Sequence, residues 1–298
     1  MSRLSKLLFA ATALVAAPIS AYADGDAPPD GGGGGDTSGG AGGGAAVTTP
    51  PAGDTGTAMG AWSKSVIDRP LTVMKGKLGA EADLLIAHVS ITILGMTASD
   101  TSEGLGVGAE YGVSDKIAVG GSYSFALNSF EIKGPLTVYA ALQLMHSEKL
   151  DVGASADFEI DLNNTDAKEI HAGLAVRYKV TPKVAVFTGN PWAPGPLGQH
   201  LTIGLASGAA KTFAIPVGVG LQATPELFAY VDTTLATILL SDPGMGNRVN
   251  SIADATPLAI GAWFNVNKNI DVGGSFSFPD VQHAGDFYFI GLGARYFN

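Results

Sequence analysis

In several segments of this chain the charged side chains share one parity with polar and glycine residues, and that spacing limits the chemistry open to them. In 150–160, Asp151, Asp157 and Glu159 share one parity with Gly153 and Ser155, while Leu150, Val152, Ala154, Ala156, Phe158 and Ile160 take the other. In 169–179, Glu169, His171, Arg177 and Lys179 oppose Ile170, Ala172, Leu174, Val176 and Tyr178. Residues two apart on a strand point the same way, so each segment carries one polar row and one apolar row. The polar parity elsewhere gathers Lys77, Glu81, Asp83, Glu110, Asp151, Asp232, Asp271 and Arg295. Inside a closed sheet such groups would either pair into a stiffening network or line a mildly cation-favouring solute path. The lumen-lining candidates are therefore Glu81, Asp83, Glu110, Asp157, Glu159, Glu169, His171, Arg177, Asp232, Asp271 and Arg295, densest where 157–159 lies beside 169–177.

Catalytic arrangements are scarce. His146 beside Ser147 would supply a base next to a hydroxyl nucleophile, as a membrane-lipid hydrolase needs, but the pair stands on a short turn and reads better as rim residues. No His pair has metal-ligand spacing, and Gly-x-Ser-x-Gly, His-Glu-x-x-His and phosphate-loop patterns are absent from the sequence. With no cysteine, disulfides, thiolate metal sites and thiol nucleophiles are excluded. We expect no catalytic residue, no metal and no cofactor. A net charge of -10 argues against nucleic acid as a partner, because nothing would neutralise phosphates in a row.

The elements that would position these rows follow from hydropathy. The chain has 298 residues, 46% of them hydrophobic and 15% charged, with a mean hydropathy of +0.25. After the N-terminus no stretch of about 20 apolar residues exists to span a bilayer as a helix. The longest, Leu84 to Met96, is interrupted by His88, Ser90 and Thr92. In lipid the remaining way to pair every backbone group is a closed barrel.

Five short segments share one frame: Tyr111 to Ile117, Leu144 to Leu150, Tyr178 to Val184, Leu221 to Leu227 and Phe264 to Ile270. Their centres at 115, 148, 182, 225 and 268 leave room in each interval for two strands of about ten residues, one tight turn and one longer connection. Longer connections are expected around 95–103, 128–135, 163–166, 190–211, 241–255 and 279–285. Six loops and five turns give twelve strands, or fourteen if 200–206 is an independent strand. Tyr111, Tyr178, Phe264 and Tyr296 stand on the apolar parity near the turns and the C-terminus, where an interfacial girdle belongs. Inward glycines such as Gly106, Gly120, Gly218 and Gly261 either leave a narrow passage or make room for Tyr139, Tyr230 or Trp263. Trp192, among Pro191, Pro194 and Pro196, marks a stiff outer loop.

The N-terminus carries Arg3 and Lys6, an apolar core from Leu7 to Ile19 and the small-residue site Ala21-Tyr22-Ala23, which reads as an export signal. The expected organisation is a signal peptide at 1–23 and a disordered Gly/Pro-rich tether at 24–60. Residues 61–75 then lead into the barrel or form a small plug, and the all-β, antiparallel up-and-down transmembrane barrel occupies 76–298.

These features resemble the bacterial outer-membrane β-barrel class over about residues 71 to 298. Gly291, Leu292, Ala294 and Tyr296 are similar to that class's C-terminal assembly signal, although Phe297 falls on the opposite face from Leu292 and Tyr296. Arg69-Pro70-Leu71-Thr72 and the run Gly108 to Asp115 resemble, over short strings, transporter-like barrels grouped with fatty-acid and aromatic-compound channels. The resemblance implies an integral outer-membrane location in a Gram-negative bacterium, with membrane lipids and the barrel-assembly machinery as partners. The function expected is a porin-like channel or passive transporter for small, including hydrophobic, solutes. A structural or surface-interaction barrel with a plugged lumen is the alternative.

Overall fold

In the computed structural model the described residues are 63–93, 96–127, 134–162, 168–188, 201–206, 212–239, 248–251 and 256–298. The expected signal peptide, the tether and Trp192 lie outside them.

Alternating residues give fourteen strand segments: β1 Leu78–Ile93, β2 Met96–Gly112, β3 Ile117–Ala126, β4 Pro135–His146, β5 Leu150–Asp161, β6 Lys168–Thr181 and β7 Val184–Phe187 come first. They are followed by β8 Leu201–Ala206, β9 Thr212–Gln222, β10 Leu227–Leu239, β11 Arg248–Ser251, β12 Leu258–Asn267, β13 Ile270–Phe278 and β14 Phe287–Phe297. All pair antiparallel, and β14 pairs with β1 from Gly79↔Phe297 to Val89↔Phe287, which closes the sheet. The β7 and β8 segments both lie between β6 and β9, so they are two pieces of one strand position. Likewise β11 and β12 share the far side of β10. The barrel therefore has twelve strands, and residues 201–206 extend an interrupted strand rather than adding a thirteenth.

The connection expected at 95–103 is instead strand. β1 and β2 stay paired out to Ile93↔Met96, and Met96 to Glu103 continue β2. That stretch lacks an apolar row because a hairpin rising past the bilayer can be wet on both faces, while backbone pairing still holds it. A second departure is the short strand β11, inside the loop expected at 241–255.

All five framed turns join strands at one end, between β2 and β3, β4 and β5, β6 and β7, β9 and β10, and β12 and β13. Their fourth residue explains the repeat. The side-chain oxygens of Ser114, Ser147, Thr181, Thr224 and Asn267 each accept a backbone N–H two or three residues ahead, closing the turn locally. Register shifts in the first half of three of these framed segments, at Gln143/Met145, Lys179/Thr181 and Asn265/Asn267, re-aim the strands there.

The outer face is apolar and uncovered. Val107, Val138, Ile170, Val219, Ile260 and Leu292 are among many large side chains left exposed there. Tyr111, Tyr178, Phe264 and Tyr296, between 46% and 49% exposed, mark one level at the short-turn rim. An apolar belt of this size has no counterpart on a monomer in water, and it is what a lipid-facing barrel wall requires.

Candidate functional site

The opposite face of the same strands carries the polar row. Arg295 on β14 donates to Glu81 on β1 at 3.3 Å, and its guanidinium lies over the Trp263 ring at 4.0 Å from the centroid. Glu110 on β2 accepts from the Tyr139 hydroxyl at 3.1 Å, and Glu159 on β5 from Thr137 at 3.1 Å. His171, almost wholly buried on β6, has Nδ1 2.7 Å from Asp157 and Nε2 3.0 Å from Glu169. Two ionised carboxylates only accept, so this geometry calls for a donor proton on both ring nitrogens, an imidazolium held between two anions. Asp83 Oδ1 and Asp232 Oδ2 are buried with no hydrogen-bond partner among the described residues.

The expected cluster on β5 and β6 thus contains Asp157, Glu159, Glu169 and His171, but Arg177 belongs elsewhere. Arg177 lies one turn-end lower, where its Nε and Nη2 donate to Asp151 at 3.0 and 2.8 Å. Asp151, fully buried, also faces His146 Nδ1 at 2.5 Å. The Ser147 hydroxyl donates to the Leu150 carbonyl at 2.9 Å, so its proton serves the turn rather than a base.

Aromatic rings fill much of the space over the inward glycines. A Cβ at Gly120 would meet the Tyr139 ring at 2.5 Å, one at Gly218 the Phe187 ring at 2.3 Å, and one at Gly261 the Tyr230 hydroxyl at 2.5 Å. Gly106, by contrast, has nothing closer than 3.7 Å. The rings of β4, β7 and β10 therefore cover inward glycines of β3, β9 and β12. From β13 round to β3 the inward parity also includes the small residues Gly106, Ser122, Ser124, Gly273, Ser275 and Gly293.

Residues 63–77 run through this interior at the short-turn end as a strap. Its 3-10 turn, Val66–Asp68, seats Ile67 among Ala185, Phe187, Phe228, Tyr230 and Trp263. The Val66 N–H donates to Gln222 on β9 at 2.8 Å, Leu71 N–H to Gln143 on β4 at 2.7 Å, and Val73 N–H to Glu110 on β2 at 3.0 Å. Arg177 on β6 donates to the carbonyls of Val66, at 3.2 Å, and Arg69. Arg69 pairs with Asp271 on β13, which Asn265 also contacts at 2.7 Å, and lies 5.5 Å from the Phe297 ring centroid. These partners are spread right round the barrel, so a segment touching all of them has to lie inside the ring. The close approach is tightest at Gly112, where a Cβ would stand 2.0 Å from the Met74 carbonyl oxygen.

Sequence reasoning missed Gln143 and Gln222 because neutral amides do not stand out among charges. Each follows a leucine, Gln143 just ahead of one framed segment and Gln222 as the second residue of another, and that was the available signal. It also missed an apolar inner stripe. Leu85 and Val89 on β1, with Phe287 and Phe289 on β14, share the inward parity, and the two Phe rings meet edge-on at 4.9 Å. The run from Leu84 to Ala87, apolar on both parities, carried that information.

A closed antiparallel barrel with a lipid-facing apolar belt, an aromatic girdle and a polar interior defines an integral outer-membrane β-barrel protein. Among solved structures the chain is similar to the KdgM porin, at 7% identity and a TM-score of 0.47, covering 72% of this chain and 98% of that one. It is also similar to the COG4313 outer membrane channel from Pseudomonas putida F1, at 12% identity and 0.48, covering 76% and 96%, and to the NanC porin, at 8% and 0.46, covering 72% and 98%. No protein-family pattern matches the sequence, and no curated protein does.

Proposed function

We propose that this protein is an outer-membrane channel for small solutes, with a preference for those bearing positive charge. The carrying observation is the charge balance of the inward face. Carboxyl groups of Glu81, Asp83, Asp157, Glu159, Glu169 and Asp232 share the inward face with the cationic groups of Arg295 and His171, and Glu110 adds another carboxyl at the level of the strap. A low-dielectric wall focuses that excess on anything entering, raising local cation concentration and repelling polyanions. The small-residue wall from β13 to β3 supplies the path. The stripe formed by Leu85, Val89, Phe287 and Phe289 gives the hydrocarbon part of an amphipathic solute something to lie against. No catalytic step is invoked, and the same carboxylates also serve the wall as hydrogen-bond acceptors.

Uptake into proteoliposomes tests the reading. Small cationic and zwitterionic solutes should enter faster than anionic ones of equal size, and the difference should shrink as salt screens the lumen. Equal uptake of both signs at low salt contradicts it.

A further inference from the structure

We propose that the short-turn mouth of the barrel is a recognition site for a peptide that enters through a 3-10 turn and carries an aliphatic residue two positions before an arginine. Residues 63–74 are its resident ligand, and solutes pass only while that site is empty. The last clause rests on the channel reading; the site itself does not.

The contacts are those of a receptor with a bound peptide. Side-chain oxygens of Gln222, Gln143 and Glu110 take three strap N–H groups, and Arg177 takes two strap carbonyls. Such contacts read backbone and fix its path without choosing sequence. Sequence is chosen where strap side chains meet the wall: Ile67 in the aromatic pocket, Arg69 on Asp271, Leu71 against Ala141 and Ala175, and Asp68 on Lys179.

The receiving groups are also held in place by the barrel itself. The Gln143 amide donates to the Met145 carbonyl at 2.6 Å, and the Gln222 amide to Thr224 and Pro225 at 2.8 and 3.3 Å. Asp151 orients Arg177, and Asn265 orients Asp271. A site whose groups keep their geometry without the ligand loses little on binding, which distinguishes a receptor from a core that forms only around its contents. Gly76, at φ 74 with open space where a Cβ would stand, links the strap to β1 and donates its N–H to the Gly112 carbonyl at 2.8 Å.

The test uses the full chain with a protease site placed at 75–77, folded, reconstituted and then cut. A fluorescein-labelled synthetic peptide of residues 62–74 is added, and anisotropy follows its exchange into the mouth. Saturable binding is expected, weakened at least tenfold by Arg69→Ala in the peptide and by Asp271→Ala in the barrel, and absent for a scrambled peptide. No saturable binding to a barrel that remains folded by heat-modifiable gel mobility overturns the site, as does equal binding of the scrambled peptide. Current across the cut protein should rise as strap is washed out and fall when peptide is returned. Binding with current that never changes from a conducting level overturns the closure. Binding with no current under any condition leaves the site standing and removes the channel reading beneath it. If insertion of the protease site prevents folding, the uncut Gly112→Ala chain answers instead: bound peptide where wild type binds none supports the site, and none overturns it.

Discussion

Arg69 and Asp271 lie 202 positions apart in the chain and meet inside the barrel, Nη2 to Oδ1 at 3.0 Å, with 7% and 2% of their side chains exposed. One belongs to the strap and the other to β13, so the pair joins the N-terminal segment to the wall beside the closing seam. Breaking a buried pair from one side leaves an uncompensated charge, at a cost of about 3–5 kcal/mol. Arg69→Ala should therefore destabilise the barrel by an amount in that range in urea unfolding from lipid vesicles. Arg69→Ala combined with Asp271→Ala should cost less than the sum of the two single changes, because the second substitution removes the orphaned carboxylate.

The lumen carboxylates make a prediction about current. Replacing Glu159 and Glu169 by Gln removes two carboxyl groups near His171 and leaves its ring with Asp157 as the remaining carboxylate partner. The reversal potential in a salt gradient should move toward zero or to the anion-selective side. An unchanged potential would mean these groups do not face the conducting path.

Gly261 and Tyr230 fit one another across β12 and β10. Gly261→Val puts its side chain where the phenol lies, and overpacking of this kind costs about 1–3 kcal/mol. Unfolding midpoints should fall for Gly261→Val and recover in part when Tyr230→Ala vacates the space.

In the connection after β13, the Asp280 carboxyl is held below the usual carboxylate range by the His283 hydrogen bond and by the Gln282 N–H. A carboxylate lowered in the folded state contributes fully above its unfolded pKa, near ~4. That contribution is lost as pH falls through the lowered value. Protection of the Gln282 amide should hold from neutral pH to about 5 and decline only below the ordinary range. Asp280→Asn should remove that acid dependence.

The wall was legible because lipid imposes a strict rule. Leu150 to Ile160 had to alternate, and the Ser/Thr/Asn at the fourth frame position had to close each turn, so strand count and rim polarity followed. Where lipid makes no demand the signal faded. Met96 to Glu103 continue β2 above the bilayer with no apolar row, and β6 pairs with two separate segments, β7 and β8. The interior was harder because parity says only that a residue points inward. It could not show that Arg177 serves the strap while His171 serves Asp157 and Glu169. Nor could it show that Phe297, facing inward against the usual pattern, lies beneath Arg69.

Single-channel recording of the wild-type chain beside Gly112→Ala tests the central claim most directly. The added methyl collides with the strap backbone at Met74 and Val73 while sparing every charged side chain of the lumen. The account predicts rare or small openings for wild type and frequent, larger, cation-selective openings for Gly112→Ala. Silence of both proteins at every voltage, or identical currents from the two, would contradict it.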